Sequence, residues 1–274
     1  MDGGGRRNLG AELTIAKVRS HWTYWVLVVL RNGQMQPRDL RPLVETAAGG
    51  YRDTFGERRL HDKILFAVLR RAEDEGLVHH QYDHTRSPRA SWYWLTDFSK
   101  ELVDALDPLS GFEAAHRAHL FAVTAARHGM TVDEAGFVLD PDDPWVDADL
   151  RKYSGIALAL QMVYPQWSFP MLAELRASGT MAPTRLLEAV NEAVDRRRPD
   201  GGPRVLRPKV CWETLDRLEA DGLIERERLP GVPPKADCTL TPVAEHLLAA
   251  LDPVGEWAEQ HLAGLLPRQA GRRE

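Results

Sequence analysis

Two stretches of the sequence place basic side chains directly ahead of an apolar pattern with helical spacing. In the first, Arg58, Arg59, His61 and Lys63 lead into Ile64, Leu65, Val68, Leu69 and Ala72. In the second, Arg196, Arg197, Arg198, Arg204, Arg207 and Lys209 lead into Leu215 and Leu218, with only Asp200 opposing them. Cations at the first turn of a helix suit duplex DNA. A helix fits the major groove with its first turns against base edges, and guanidinium and ammonium groups neutralise the flanking phosphates. Downstream of each stretch a turn-bearing segment adds charge: His79, His80, His84, Arg86 and Arg89 in one, Arg226, Arg228 and Lys235 in the other. Phe66 and Trp212 fall on or beside the outward face, where core packing competes with base contact. The residues expected to meet DNA are Arg58, Arg59, His61, Lys63, Arg86, Arg89, Arg204, Arg207, Lys209, Trp212, Arg228 and Lys235.

The whole chain does not advertise this. Its 274 residues carry a net charge of −5, and the pI is about 6.1. Affinity for a polyanion depends on where charge sits rather than on the total. The acidic residues gather elsewhere, in Asp140, Asp142, Asp143, Asp147 and Asp149 and at the far ends of the two basic-led segments, as Glu73-Asp74-Glu75 and Glu219.

The elements that position these groups are legible because the chain repeats. Trp22 returns as Trp167, Leu95-Thr96 as Leu240-Thr241, and Ala105-Leu106-Asp107-Pro108 as Ala250-Leu251-Asp252-Pro253, each 145 residues on. Pro37 to Leu40 returns as Pro183 to Leu186, and Glu73 to Val78 as Glu219 to Ile224, at 146. One order and nearly one offset over about a hundred residues is the signature of a repeated structural unit. One unit reads as a helical stretch from Glu12 to Leu30 with a break near Ser20, a helix from Pro37 to Thr46, and a helix from Arg58 to Glu75 capped by Gly76. A strand from Leu77 to Tyr82, a turn, a strand from Ala90 to Leu95 and a closing helix from Ser99 to Leu106 follow. Trp92 and Trp94 share one strand face opposite Tyr93, and are expected on the core side. The fold class is mainly α with small β-wings: two tandem winged helix-turn-helix domains, 1–111 and 147–264, joined by a helical and acidic linker at 112–146, with a tail at 265–274. The linker reads as solvated; the alternative is that its acidic run covers a basic face.

The second unit resembles the HxlR-type winged helix regulators. The resemblance rests on Leu215 to Arg226, the turn Val232-Pro233-Pro234-Lys235, Leu240-Thr241-Pro242 and Gln166-Trp167-Ser168, over roughly 153–262. The first unit matches more loosely, through His21-Trp22-Thr23, Glu73 to Val78 and Leu95-Thr96, and its wing lacks the proline pair. The resemblance implies a DNA-binding transcriptional regulator, and the tandem chain would stand in for the homodimer typical of the family. Double-stranded DNA is the expected partner; a small effector in an aromatic pocket lined by Trp22, Trp25, Trp92, Trp94 and Trp167, and association of two chains, stay open.

Other chemistries find little support. His79, His80, Asp83 and His84 do not have the spacing of a known metal site, and neither metal nor cofactor is expected. Cys211 and Cys238 give no disulfide framework and read as buried small hydrophobes. Gln34-Met35-Gln36 resembles a short element of a winged helix family of DNA glycosylases, with the rest of that pattern absent, so no enzyme is expected. Absence of an apolar leader in MDGGGRRNLG and of a long apolar run points to a bacterial cytoplasmic protein without membrane association.

Overall fold

Proline opens five of the twelve helices described in the computed structural model, which describes residues 3–49, 59–83, 90–129, 148–197, 205–229 and 235–265. In chain order these are α1 (Gly3–Val18), α2 (His21–Leu30), α3 (Pro37–Gly49), α4 (Asp62–Asp74), β1 (Val78–Asp83), β2 (Ala90–Leu95), α5 (Asp97–Ala105) and α6 (Pro108–His128). Then come α7 (Ala148–Gln161), α8 (Ser168–Ser178), α9 (Pro183–Arg197), α10 (Pro208–Ala220), β3 (Ile224–Leu229), β4 (Lys235–Leu240), α11 (Pro242–Gln260) and α12 (Leu262–Leu265). The fold is mainly helical, with two separate two-stranded antiparallel sheets, β1–β2 and β3–β4. The series α2-α3-α4-β1-β2-α5 and α8-α9-α10-β3-β4-α11 run in the same order, each a winged helix. The acidic run through Asp147 and both wing turns lie outside the described residues, while Asp149 falls in the first turn of α7.

The two series are held by the same bonds. Gly76 and Gly222 turn the chain out of α4 and α10 at φ 71° and 68°, a left-handed conformation open to glycine at little cost. Thr96 Oγ1 donates to Gly76 O at 3.0 Å, and Thr241 Oγ1 to Gly222 O at 2.7 Å. Each threonine then caps the following helix, accepting from Ser99 N at 3.2 Å and Ala244 N at 3.3 Å. A third strand-like segment joins each sheet: Met35 exchanges two bonds with Tyr93, as does Met181 with Cys238. The expected break near Ser20 separates α1 from α2. Two expectations shift: α1 begins at Gly3 rather than near Glu12, and α4 begins at Asp62, with His61 as its extended N-cap residue.

One expectation fails. Tyr93 is the inward residue of β2, at 5% exposure, while Trp92 and Trp94 are half-buried on the other face. The bond exchange with Met35 seats Tyr93 over the core, so alternation turns both tryptophans away. Trp94 lies against His79, ring centroids 5.3 Å apart. Trp25 is core, at 1% exposure.

The leading helix of each series crosses to the other. α1 lies along α11, and α7 along α6. Both crossings are close because glycine sits at each. A Cβ on Gly10 would stand 2.7 Å from Ala258 Cβ, and one on Gly155 2.8 Å from Glu113 Cγ. Gly10 and Gly155 are 145 apart, as are Glu113 and Ala258. α6 also reaches the end of α10, where Arg127 Nε donates to buried Asp221 at 3.0 Å and His119 Nε2 meets the Asp221 carbonyl at 2.9 Å. The end of α10 is thereby fixed from the side opposite its N-terminus.

Where α11 meets α5 and α6, one contact occurs in two chemical versions. His261 Nε2 lies 3.0 Å from Glu101 Oε2, beside Trp257. At positions 145 earlier or later, His116 Nε2 lies 2.8 Å from His246 Nδ1, beside Phe112. Burial, then the neighbouring His246 and His119, push the His116 imidazole below its ordinary value of 6.5. The folded state thus favours neutral His116, and the unfolded chain takes up the proton first. Its contribution to stability is complete above that ordinary value and is lost as pH falls through about 6.5 towards the folded value. Melting temperature should fall between about pH 7.5 and pH 5.5, and His116→Gln should make the fall smaller. An unchanged pH dependence in the variant refutes the assignment.

Candidate nucleic-acid interface

α4 and α10 are built alike at the end that carries the cations. Leu60 and Leu206 are each 1% exposed and anchor the entry to the helix. A polar side chain from the preceding helix holds each anchor: Leu60 N donates to Glu45 Oε1 at 2.9 Å, and Leu206 N to Asn191 Oδ1 at 2.7 Å. His61 and Arg207 follow as the N-cap residues, with extended backbone and no side-chain capping bond. Pro208 opens α10 at a position where the missing N–H costs nothing. The inner stripes, Leu65, Leu69 and Ala72 on α4 and Cys211, Leu215 and Leu218 on α10, are buried. Burial of each leucine contributes about 1.5–3 kcal/mol.

Opposite those stripes lies a row at i, i+3, i+4 and i+7, one helix face. On α4 it is Lys63, Phe66, Ala67 and Arg70, all exposed; on α10 it is Lys209, Trp212, Glu213 and Asp216, all exposed. Phe66 is 47% and Trp212 45% exposed, so neither is a core residue. Lys209 is open, its side chain 87% exposed and its Nζ 3.8 Å from Glu213. Arg41 of α3 pairs with Asp62 at 2.8 Å, which offsets the one acid in the first turn of α4.

Of the residues expected to meet DNA, Arg59, His61 and Lys63 are exposed at the start of α4, and Arg207, Lys209 and Trp212 at the start of α10. Arg58, Arg86, Arg89 and Arg204 lie outside the described residues. Arg228 and Lys235 sit on β3 and β4 next to the wing turn, Arg228 opposite Ala236 and Lys235 opposite Leu229. Arg196 and Arg197 close α9.

Arg226 has a different task from the one expected. Its Nε donates to Glu219 at 2.7 Å and its Nη2 meets Asp216 Oδ1 at 2.7 Å, fastening β3 to α10. At the matching place in the first wing, His80 stacks on Tyr93 with centroids 4.3 Å apart and stands 3.4 Å from Glu73. Glu73 and Glu219, at the far ends of the helices, are therefore partners for the wing residues His80 and Arg226, while Glu75 pairs with Lys17 and Arg71. Sequence reasoning missed Arg70 and Glu213. Their spacing of seven from Lys63 and four from Lys209 was the available signal.

His79 and His80, neighbours on β1, point to opposite faces, and His84 lies outside the described residues. Among the described residues no three metal-ligating side chains converge. Gln36 is buried at 9% exposure, and Met35 is bonded into the sheet. Both cysteines are buried, and burial pushes each thiol up to about 11. A thiol needs its thiolate to react. Native protein should therefore resist iodoacetamide near pH 8 for about an hour and label fully once unfolded. Rapid native labelling contradicts burial.

Among the described residues no helix is long and apolar enough to cross a membrane. The HxlR-like helix-turn-helix family matches residues 203–264, which span α10, the second wing, α11 and most of α12. The uncharacterized HTH-type transcriptional regulator YtfH of Escherichia coli is 31% identical over 88 residues, 32% of this chain and 68% of YtfH. A second such regulator, BH0655 of Halalkalibacterium halodurans, is 49% identical over 49 residues, 18% of this chain and 43% of BH0655. A solved MarR-family transcriptional regulator from Enterococcus faecalis is 27% identical, with a TM-score of 0.33, 44% of this chain and 94% of that one covered. The winged helix geometry, with the matches to residues 203–264 and to YtfH, makes this chain a member of the HxlR-like helix-turn-helix family.

Proposed function

We propose that the chain is a transcriptional regulator that binds double-stranded DNA sequence-specifically, with α4 and α10 as two unlike recognition helices in one chain. The observation that carries the reading is the matched pair of outward faces, each entered by exposed cations on an anchored turn. The bonds that recur 145 or 146 residues apart, and the reciprocal packing of α1 on α11 and α7 on α6, support a chain that stands in for a dimer after internal duplication. On this reading residues 1–111 and 147–264 are the two DNA-binding domains, 112–146 joins them, and 265–274 is a tail. Phosphate contacts come from Arg58, Arg59, His61, Lys63, Arg204, Arg207 and Lys209, and from Arg86, Arg89, Arg228 and Lys235 on the wings. Catalysis and cofactors have no part, and the protein works in the cytoplasm on the nucleoid.

A mobility-shift titration against duplexes from the neighbourhood of its own gene tests this. The expected result is a shifted complex of one chain per duplex that survives excess competitor DNA at physiological salt. A complex of two chains refutes the stand-in for a dimer; no preference over competitor refutes sequence-specific binding. A second reading, a protein-docking module, is favoured by Leu43, Ile64 and Phe66 on the first unit, 47%, 38% and 47% exposed. A partner that co-purifies after nuclease treatment, with no DNA shift, would favour it.

A further inference from the structure

Aligning the two outward faces position by position gives two kinds of station. Lys63 and Lys209 match in chemistry, as do Phe66 and Trp212. The next two stations differ: Ala67 faces Glu213, and Arg70 faces Asp216, each pair 146 apart. These groups are not equally available. Asp216 is engaged by Arg226 at 2.7 Å. Glu213 is 60% exposed, with Lys209 at 3.8 Å as its ionic neighbour, and Arg70 is exposed.

Each side chain has a definite base partner in the major groove. A carboxylate accepts from the cytosine N4 amino group, a guanidinium donates twice to guanine O6 and N7, and an apolar group meets the thymine methyl. A carboxylate on the groove-facing row is also a poor phosphate binder, so what an available one can meet in the groove is a donor on a base. The aromatic stations can meet thymine methyls in both half-sites and so do not distinguish them.

We infer that Glu213 and Arg70 are the specificity-determining residues that make the two half-sites unlike. Glu213 selects a cytosine under α10 that has no counterpart under α4. Arg70 selects a guanine under α4 that has no counterpart under α10, because Asp216 is held by Arg226. The operator is then two half-sites that share the bases beneath the lysines and aromatics and differ at two defined positions. This inference rests on the DNA-binding reading.

Selection from a randomised duplex pool tests it, using the full chain and its Glu213→Ala, Arg70→Ala and Ala67→Glu variants. In Glu213→Ala the cytosine preference in one half-site should relax roughly tenfold, with the other half-site untouched. In Arg70→Ala a guanine preference should relax in the opposite half-site. Ala67→Glu should create the missing cytosine preference and make the selected site more symmetric. A selected site whose preferences are unchanged in all three variants, or variants that lose affinity equally for every sequence, overturns the inference and leaves DNA binding standing. No enrichment by the unsubstituted chain overturns the DNA-binding reading and this inference with it. Circular dichroism of each variant should match the parent, since all three positions are exposed.

Discussion

Replacing Arg207 and Lys209 together by Ala is expected to lower affinity for the selected duplex about a hundredfold at physiological salt, since each charge-assisted contact contributes about 1.5 kcal/mol. Both side chains are exposed at the entry to α10, so their loss should leave melting temperature unchanged. The salt dependence separates this role from a structural one. Each phosphate contact releases condensed counterions, so the slope of log affinity against log salt should shrink by about two. Fluorescence anisotropy over about 50–200 mM salt reads both quantities. A control at Lys100, which pairs with Asp97 on α5 at 2.8 Å, should change neither. If the double variant binds as tightly and with the same slope as the parent, α10 is not the reader. The matching replacement of Arg59 and Lys63 tests α4, and a smaller loss there would make the second unit the stronger contributor.

The second large effect concerns the crossings that hold the two units together. Gly10→Leu should destabilise the fold by about 3 kcal/mol or more, at the upper end for overpacked cores. A Cβ there would meet Ala258 Cβ at 2.7 Å and the backbone of α11 at 3.2 and 3.3 Å. Backbone cannot swing aside, so the helices must separate. For a chain of this size that is a fall in melting temperature on the order of 10 °C. Gly155→Leu should act in the same direction but less, because its obstacle is the Glu113 side chain. That side chain is itself held by Arg117 at 2.6 and 3.0 Å, so it yields at a cost. Gly111 makes the contrast: nothing lies within 4 Å of its would-be Cβ. Gly111→Ala should stabilise by about 0.5–1 kcal/mol, because alanine restricts the unfolded chain and favours the helix. Thermal unfolding of the three variants checks the order. Equal, small effects at Gly10 and Gly111 would show that the crossing does not depend on glycine.

Most of the architecture was legible in the residues. The basic-led entries to α4 and α10, the glycine after each, and the threonine before each closing helix are local signals. Their meaning comes from chain geometry within a few residues: a cap, a left-handed turn, a helical stripe. Repetition at 145 and 146 then ordered them, and the recurring bonds of Thr96 and Thr241 follow from that repetition.

Pairing across the fold was not legible in the same way. Nothing local says that Arg226 belongs to Asp216 and Glu219 rather than to phosphate; that depends on β3 folding back over α10. Nor does alternation alone say which face of β2 is inward. The bond exchange with Met35, over fifty residues away, turned Tyr93 in and Trp92 and Trp94 out. The sequence by itself determined the elements, their order and the placement of cations at two helix starts, because those depend on neighbours along the chain. The tertiary structure decided which of those cations remain available for a ligand, and that α1 and α7 each pack on the other unit, because burial and ion pairing depend on neighbours in space.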